Sequence, residues 1–143
     1  MKDIEFIICT RFAENQGNNN IQLTEEWLNH RFNLFETYCF PSIQHQTDTE
    51  FKWILSFDHN IANKYKDKLI NFKNILPNIY LEDKEIYCSY NYMQNIISLP
   101  GPSQYIIHLR LDNDDAIHKD MIKTLKENFI SIKQKPTNFT ILC

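Results

Sequence analysis

Glycine is nearly absent from this chain: Gly17 and Gly101 are the only two in 143 residues. So few turn-forming residues argue against a barrel or sandwich built on many tight turns, and they leave no glycine-rich cradle for phosphate. The four cysteines, Cys9, Cys39, Cys88 and Cys143, stand far apart with no C-x-x-C pair. This spacing argues against a zinc site shared with His30, His45 or His59 and fits small buried hydrophobes of an intracellular chain. No apolar run approaches the roughly 18 residues that cross a bilayer. The start, Met1-Lys2-Asp3-Ile4-Glu5, has no apolar signal core. A net charge of −3 gives no footprint for nucleic acid, and the lysines are scattered over expected helices as solvated faces instead of forming a block. The expectation is a cytoplasmic protein without a transmembrane segment, with peripheral membrane contact left open.

What is present is a good supply of core. Hydrophobic residues make up 43% of the chain and aromatics 13%, enough for one domain over residues 1–143 to bury a core without staples. Short apolar runs at Glu5–Cys9, Phe51–Phe57, Ile79–Leu81 and Tyr105–Leu111 read as strands, and Thr137–Cys143 starts another. Between them lie helical patterns. Thr24 is a candidate N-cap, with Glu25 and Glu26 in the first turn and an apolar face through Trp27, Leu28, Phe32, Phe35, Tyr38 and Cys39 until Pro41 interrupts or kinks it, with a further turn expected through Ser42–Gln46. Further helices are expected over Lys64–Leu76, Ser89–Leu99 and from Ile117 to Ile132. Strands alternating with helices predict βαβ units and a mostly parallel sheet with right-handed crossovers. The chain stops within the apolar run Ile141-Leu142-Cys143, which leads us to expect the N-terminal part of a longer protein.

The chemistry concentrates in Leu109-Arg110-Leu111-Asp112-Asn113-Asp114-Asp115, directly after the fourth strand. Period-two geometry sets His108, Arg110 and Asp112 on one face of that strand and Ile107, Leu109 and Leu111 on the other. Three carboxylates crowded at the ligand-facing end of a strand need compensation by a cation or by hydrogen-bond donors. Hard divalent cations favour such oxygens, and magnesium takes one or two carboxylates with substrate phosphates. The plainer alternative, that Asp114 or Asp115 caps the next helix, explains one aspartate and not three. A calcium EF-hand fails on register, since Ile117 and Lys123 stand where glycine and glutamate are required. In a parallel sheet Asp58 ends the second strand at the same edge as Thr10 and Asp112. It is placed either to hold a ribose or base or to cap a helix, and Arg11 either to meet phosphate or to pair with Asp58. His59 and His118 read as loop histidines beside this crevice.

The segments C-T-R-F, P-S-I-Q-H-Q-T, F-K-W-I-L-S-F-D and L-R-L-D-N-D-D-A together resemble the rhamnosyltransferase family of GT-A-fold glycosyltransferases, from about Phe6 to Leu125. More distantly, Ser42 to Thr47 leading to Asp58 is similar to the first βαβ unit of family-2 glycosyltransferases. The resemblance implies a three-layer α/β/α, Rossmann-like, nucleotide-binding half of a GT-A domain. It implies a nucleotide-sugar donor contacted by Thr10, Arg11, Asp58, Arg110 and Asp112, and a divalent metal, manganese or magnesium, held by Asp112 with Asp114 or Asp115. The acceptor would be a glycan or another hydroxyl, with the catalytic base beyond Cys143. Two other functions stay open on the residues alone. One is a magnesium-dependent phosphoryl-transfer enzyme, because haloacid-dehalogenase-like phosphatases also place D-x-D after a strand; the other is a non-catalytic interaction domain.

Overall fold

A computed structural model of the chain describes residues 4–13, 24–84 and 105–133. The expected helix over Ser89–Leu99 and the strand from Thr137 lie outside the described residues. Four strands, β1 (Ile4–Ala13), β2 (Lys52–Asp58), β3 (Ile79–Lys84) and β4 (Tyr105–Arg110), form one sheet in the order β3-β2-β1-β4. Every pairing is parallel. The helices are α1 (Glu25–Leu34), α2 (Phe40–Gln44), α3 (His59–Lys64), α4 (Lys66–Ile75) and α5 (Met121–Lys133), with a π-helical segment, Phe35–Cys39, joining α1 to α2. This is the parallel α/β sheet that the alternation of patterns predicts, in the Rossmann-like arrangement that the resemblance implies.

One face of the sheet carries most of the core. Phe6, Ile8 and Phe12 of β1 and Trp53, Leu55 and Phe57 of β2 pack with Leu28 and Phe32 of α1, Ile43 of α2, Leu69 and Phe72 of α4, and Ile122 of α5. Aromatic rings bind these layers: Phe12 lies 4.5 Å from Phe32 and 5.0 Å from Phe57, and Phe35 lies 5.5 Å from Trp53. Ile7, Cys9 and Ile54 are buried on the opposite face, so the central strands are covered on both sides as an inner layer requires.

The local signals around α1 hold. The Thr24 hydroxyl accepts the Trp27 N–H at 3.2 Å, and Glu25 and Glu26 occupy the first turn where the helix dipole favours them. The regular α-helical bonding is interrupted before Pro41, and a further turn follows it in α2, as expected. The Phe40 N–H reaches back five residues to the Phe35 carbonyl, and this widened turn accommodates a proline that has no N–H to give and would otherwise press on the turn before it. The helix after β2 also starts earlier than Lys64. Asp58 caps α3 by accepting the Asn60 N–H at 2.9 Å, and α4 follows after Tyr65.

Candidate functional site: an acidic turn at the switch point of the sheet

Chain order reverses between β1 and β4: β2 and β3 extend the sheet to one side of β1, and β4 returns to its other side. Open parallel sheets bind ligands outside the carboxyl ends of the strands at such a reversal. The acidic segment begins there. The Leu111 N–H donates to the Cys9 carbonyl at 3.0 Å, which prolongs the β1–β4 ladder one step past the strand. Beyond it, β1 bulges against β2, since Arg11 pairs with Ser56 and Ala13 with Phe57 while Phe12 is skipped. The Phe12 carbonyl takes its bond from the Asn113 side-chain amide at 2.9 Å.

Asn113 is thus the anchor of the turn. It is 1% exposed, and Leu111 is 5% exposed. Strand alternation then throws Asp112, which lies between them, out to solvent. The Asp115 N–H closes a turn on the Asp112 carbonyl at 3.2 Å, so these two exposed aspartates are neighbours on one short loop. Asp114 behaves differently. Its Oδ2 accepts from Arg31 Nη1 of α1 at 2.6 Å, with the two side chains 27% and 36% exposed. Neither Asp114 nor Asp115 caps the following helix, which opens only at Met121. Ile117 lies in the loop ahead of it.

The other candidate residues divide by strand face. Arg110 Nη2 stands 3.4 Å from Asp112 Oδ1, with both side chains about half exposed, a contact of little energetic weight in water. Arg11 lies on the face opposite the main core, at the register position of Ser56, whose hydroxyl donates to Glu82 at 2.9 Å. Asp58 sits at the rim with one carboxylate oxygen engaged in its cap. Thr10 points into the core instead: it is fully buried, and its hydroxyl accepts the Trp53 indole N–H at 3.0 Å. Among the described residues no three or more His, Cys, Asp or Glu side chains converge as a ready-made metal cage.

The residues that sequence reading missed include those that hold the segment after the turn, residues 117–122. Gln46 is 4% exposed, and its amide donates to the carbonyls of Ser42 at 2.9 Å and His118 at 2.8 Å while its oxygen accepts the Ile122 N–H at 3.2 Å. Ser42 donates to the Cys39 carbonyl at 2.8 Å and accepts the Ile117 N–H at 3.2 Å. The Thr47 N–H donates to the Lys119 carbonyl at 2.9 Å, and its hydroxyl donates to Asp120 at 2.8 Å. The segment P-S-I-Q-H-Q-T therefore clamps residues 117–122, and its run of short and amide polar residues just after an apolar helix was the available signal.

The electrostatics follow the same layout. The Cys39 thiol donates to the Asp112 carbonyl across 3.7 Å, and burial first, then the charges of Asp115 and Asp114, push its pKa up to about 12. Bonds from Lys119 and Thr47 hold the Asp120 carboxyl below the usual carboxylate range. Burial moves His108, on β4, down from the ordinary imidazole value.

No protein of curated function matches this chain. No helix among the described residues is long and apolar enough to cross a membrane. A family model described as "Putative rhamnosyl transferase" matches residues 11–141, which takes in both the acidic turn and the clamp on the segment that follows it. The chain belongs to this rhamnosyl transferase family, and so to the glycosyltransferases.

Proposed function

We propose that this chain binds the nucleotide-sugar donor of a glycosyltransferase and holds a divalent metal, manganese or magnesium, between its acidic turn and the donor's diphosphate. The observation that carries this reading is the position of Asp112 and Asp115: two exposed carboxylates on one tight turn, at the reversal point of a parallel sheet. Two carboxylates completed by phosphate oxygens are a donor set that magnesium-like cations accept, so the residues present fit the group. In this reading Asp112 and Asp115 are its ligands, Arg110 meets the diphosphate, and Asp58 and Arg11 serve the nucleoside. When bound, the metal neutralises charge that builds on the departing nucleoside diphosphate. Thr10 contributes from behind, by fixing Trp53 and the end of β1. The neighbouring strands β2 and β4 flank β1, so their ends lie about 10 Å apart, a gap that one nucleotide bridges. A sugar acceptor, a glycan or another hydroxyl, completes the reaction class.

The test is thermal. Manganese chloride and nucleoside diphosphates, screened over the common bases, raise the melting temperature together by more than either alone, because ligands that bind only the folded state stabilise it. Asp112→Ala removes the joint effect. Unchanged joint stabilisation in both Asp112→Ala and Asp115→Ala rejects the assignment.

A further inference from the structure

One of the three carboxylates in the acidic turn is already engaged by a cation that the chain itself carries. Arg31 reaches from α1 to Asp114 at 2.6 Å, and its guanidinium lies over the Trp27 ring, 5.4 Å from the centroid. Two attachments of different kinds hold the head group in place, and the pair is partly shielded from water. The contrast with Arg110 is clear: its 3.4 Å contact with Asp112 joins two side chains that are each 55% exposed. Asn113, the residue between the two aspartates of the motif, is locked into β1. The backbone of the turn is thereby fixed beside Asp112 and Asp115, so what keeps the Asp114 side chain from turning toward them is its bond to Arg31.

We propose that Arg31 is a positioning residue that withholds Asp114 from the cation site, so that a divalent metal is held firmly only once a diphosphate completes the two-carboxylate set. This rests on the metal reading given above. The physical basis is charge count, since the affinity of an oxygen site for a hard cation rises with the number of carboxylates it offers. Three free aspartates would hold the metal without any donor. Two aspartates, with the third neutralised by a resident guanidinium, make metal and donor depend on each other.

The experiment is a titration of the protein with manganese chloride alone, with free Mn²⁺ followed by electron paramagnetic resonance. Arg31→Gln frees Asp114 and is expected to tighten Mn²⁺ binding by about tenfold, the size of one added ligand's contribution. Asp114→Asn alone is expected to stay within about twofold of the unaltered chain, and it removes the gain when combined with Arg31→Gln. Unchanged or weaker binding in a folded Arg31→Gln overturns the inference, as does loss of binding in Asp114→Asn, which decides the matter even if Arg31→Gln does not fold. Asp112→Ala separates the two levels: retained Mn²⁺ affinity there sinks the metal reading itself, whereas lost affinity together with an inert Arg31→Gln sinks only the role of Arg31.

Discussion

Replacing Gln46 by leucine tests whether the clamp holds the acidic turn in place. The substitution keeps most of the side-chain volume and removes three hydrogen bonds, from the amide to Ser42 and His118 and from Ile122 to the amide oxygen. Gln46 is 4% exposed, so water reaches the stranded groups only if the loop moves. A buried backbone group left without a partner costs about 1–3 kcal/mol. Three such groups set an upper bound near 9 kcal/mol, and relaxation of an exposed loop should leave about 3 kcal/mol. That is a large part of the 5–15 kcal/mol by which domains are usually stable. The assay is urea denaturation at neutral pH, with the midpoint shifted and the slope retained. Gln46→Glu refines it. A carboxylate still accepts from Ile122 but opposes two carbonyls, so this variant should fall below Gln46→Leu at pH 7 and recover in acid as the carboxyl regains a proton to donate. A loss under about 1 kcal/mol for Gln46→Leu would mean that the loop does not depend on this amide.

Two further outcomes follow from buried charge. Lys126 of α5 is 2% exposed and bonds both Asp48 oxygens, at 2.8 and 2.9 Å, and the Glu50 carbonyl at 2.6 Å. Lys126→Met should cost about 3 kcal/mol by leaving the partly exposed Asp48 carboxylate with the Glu50 N–H but without its cation, with part of this recovered in Lys126→Met/Asp48→Asn, as a double-mutant cycle in urea would measure. The raised Cys39 pKa makes folding sensitive to alkali: the folded thiol keeps its proton to about pH 12 whereas the unfolded one loses it near 9.0. Stability from this source is complete below pH 9.0 and lost as pH climbs toward about 12, by about 4 kcal/mol in all. The stability difference between the unaltered chain and Cys39→Ser should shrink accordingly between pH 8 and 11, and a constant difference would refute the linkage.

Features governed by short-range rules were readable from the chain itself. The apolar runs became strands, the alternation of elements became a parallel sheet, and the Thr24 cap with its acidic first turn appeared where expected. Period two correctly put Leu111 inward and Asp112 outward. What could not be read is partnership over distance. Asn113 meets Phe12 across 101 positions, Arg31 meets Asp114 across 83, and Gln46 meets His118 across 72. Nothing local marks Asn113 or Arg31, and the polar run around Gln46 does not name its partner, because a buried polar residue looks like a surface one until that partner is known. Asp58 shows the same limit on a smaller scale: the rim position was legible, but the cap on α3 was the second of two readings. At Pro41 the interruption and the turn after it were legible, but not the form the interruption takes. The penalty for proline assumes regular four-residue bonding, and the π turn before it changes that premise.

The site and the stability of the fold are linked through these same residues, and the linkage can be separated. The loop from Asp112 to Asp120 has no regular ladder of its own, so its backbone groups depend on Asn113, Ser42, Gln46 and Thr47. Lys126 stabilises the fold by a similar amount but is tied to Asp48 and Glu50, not to the acidic turn. Gln46→Leu and Lys126→Met can therefore be brought to equal stability by choice of urea concentration and compared for joint stabilisation by manganese and diphosphate. If the clamp orients the ligands, Gln46→Leu loses coupling that Lys126→Met keeps. Equal losses would reduce the clamp to one more contribution to folding, and the geometry of Asp112 and Asp115 would then have to be set by Asn113 and the β1 bulge alone.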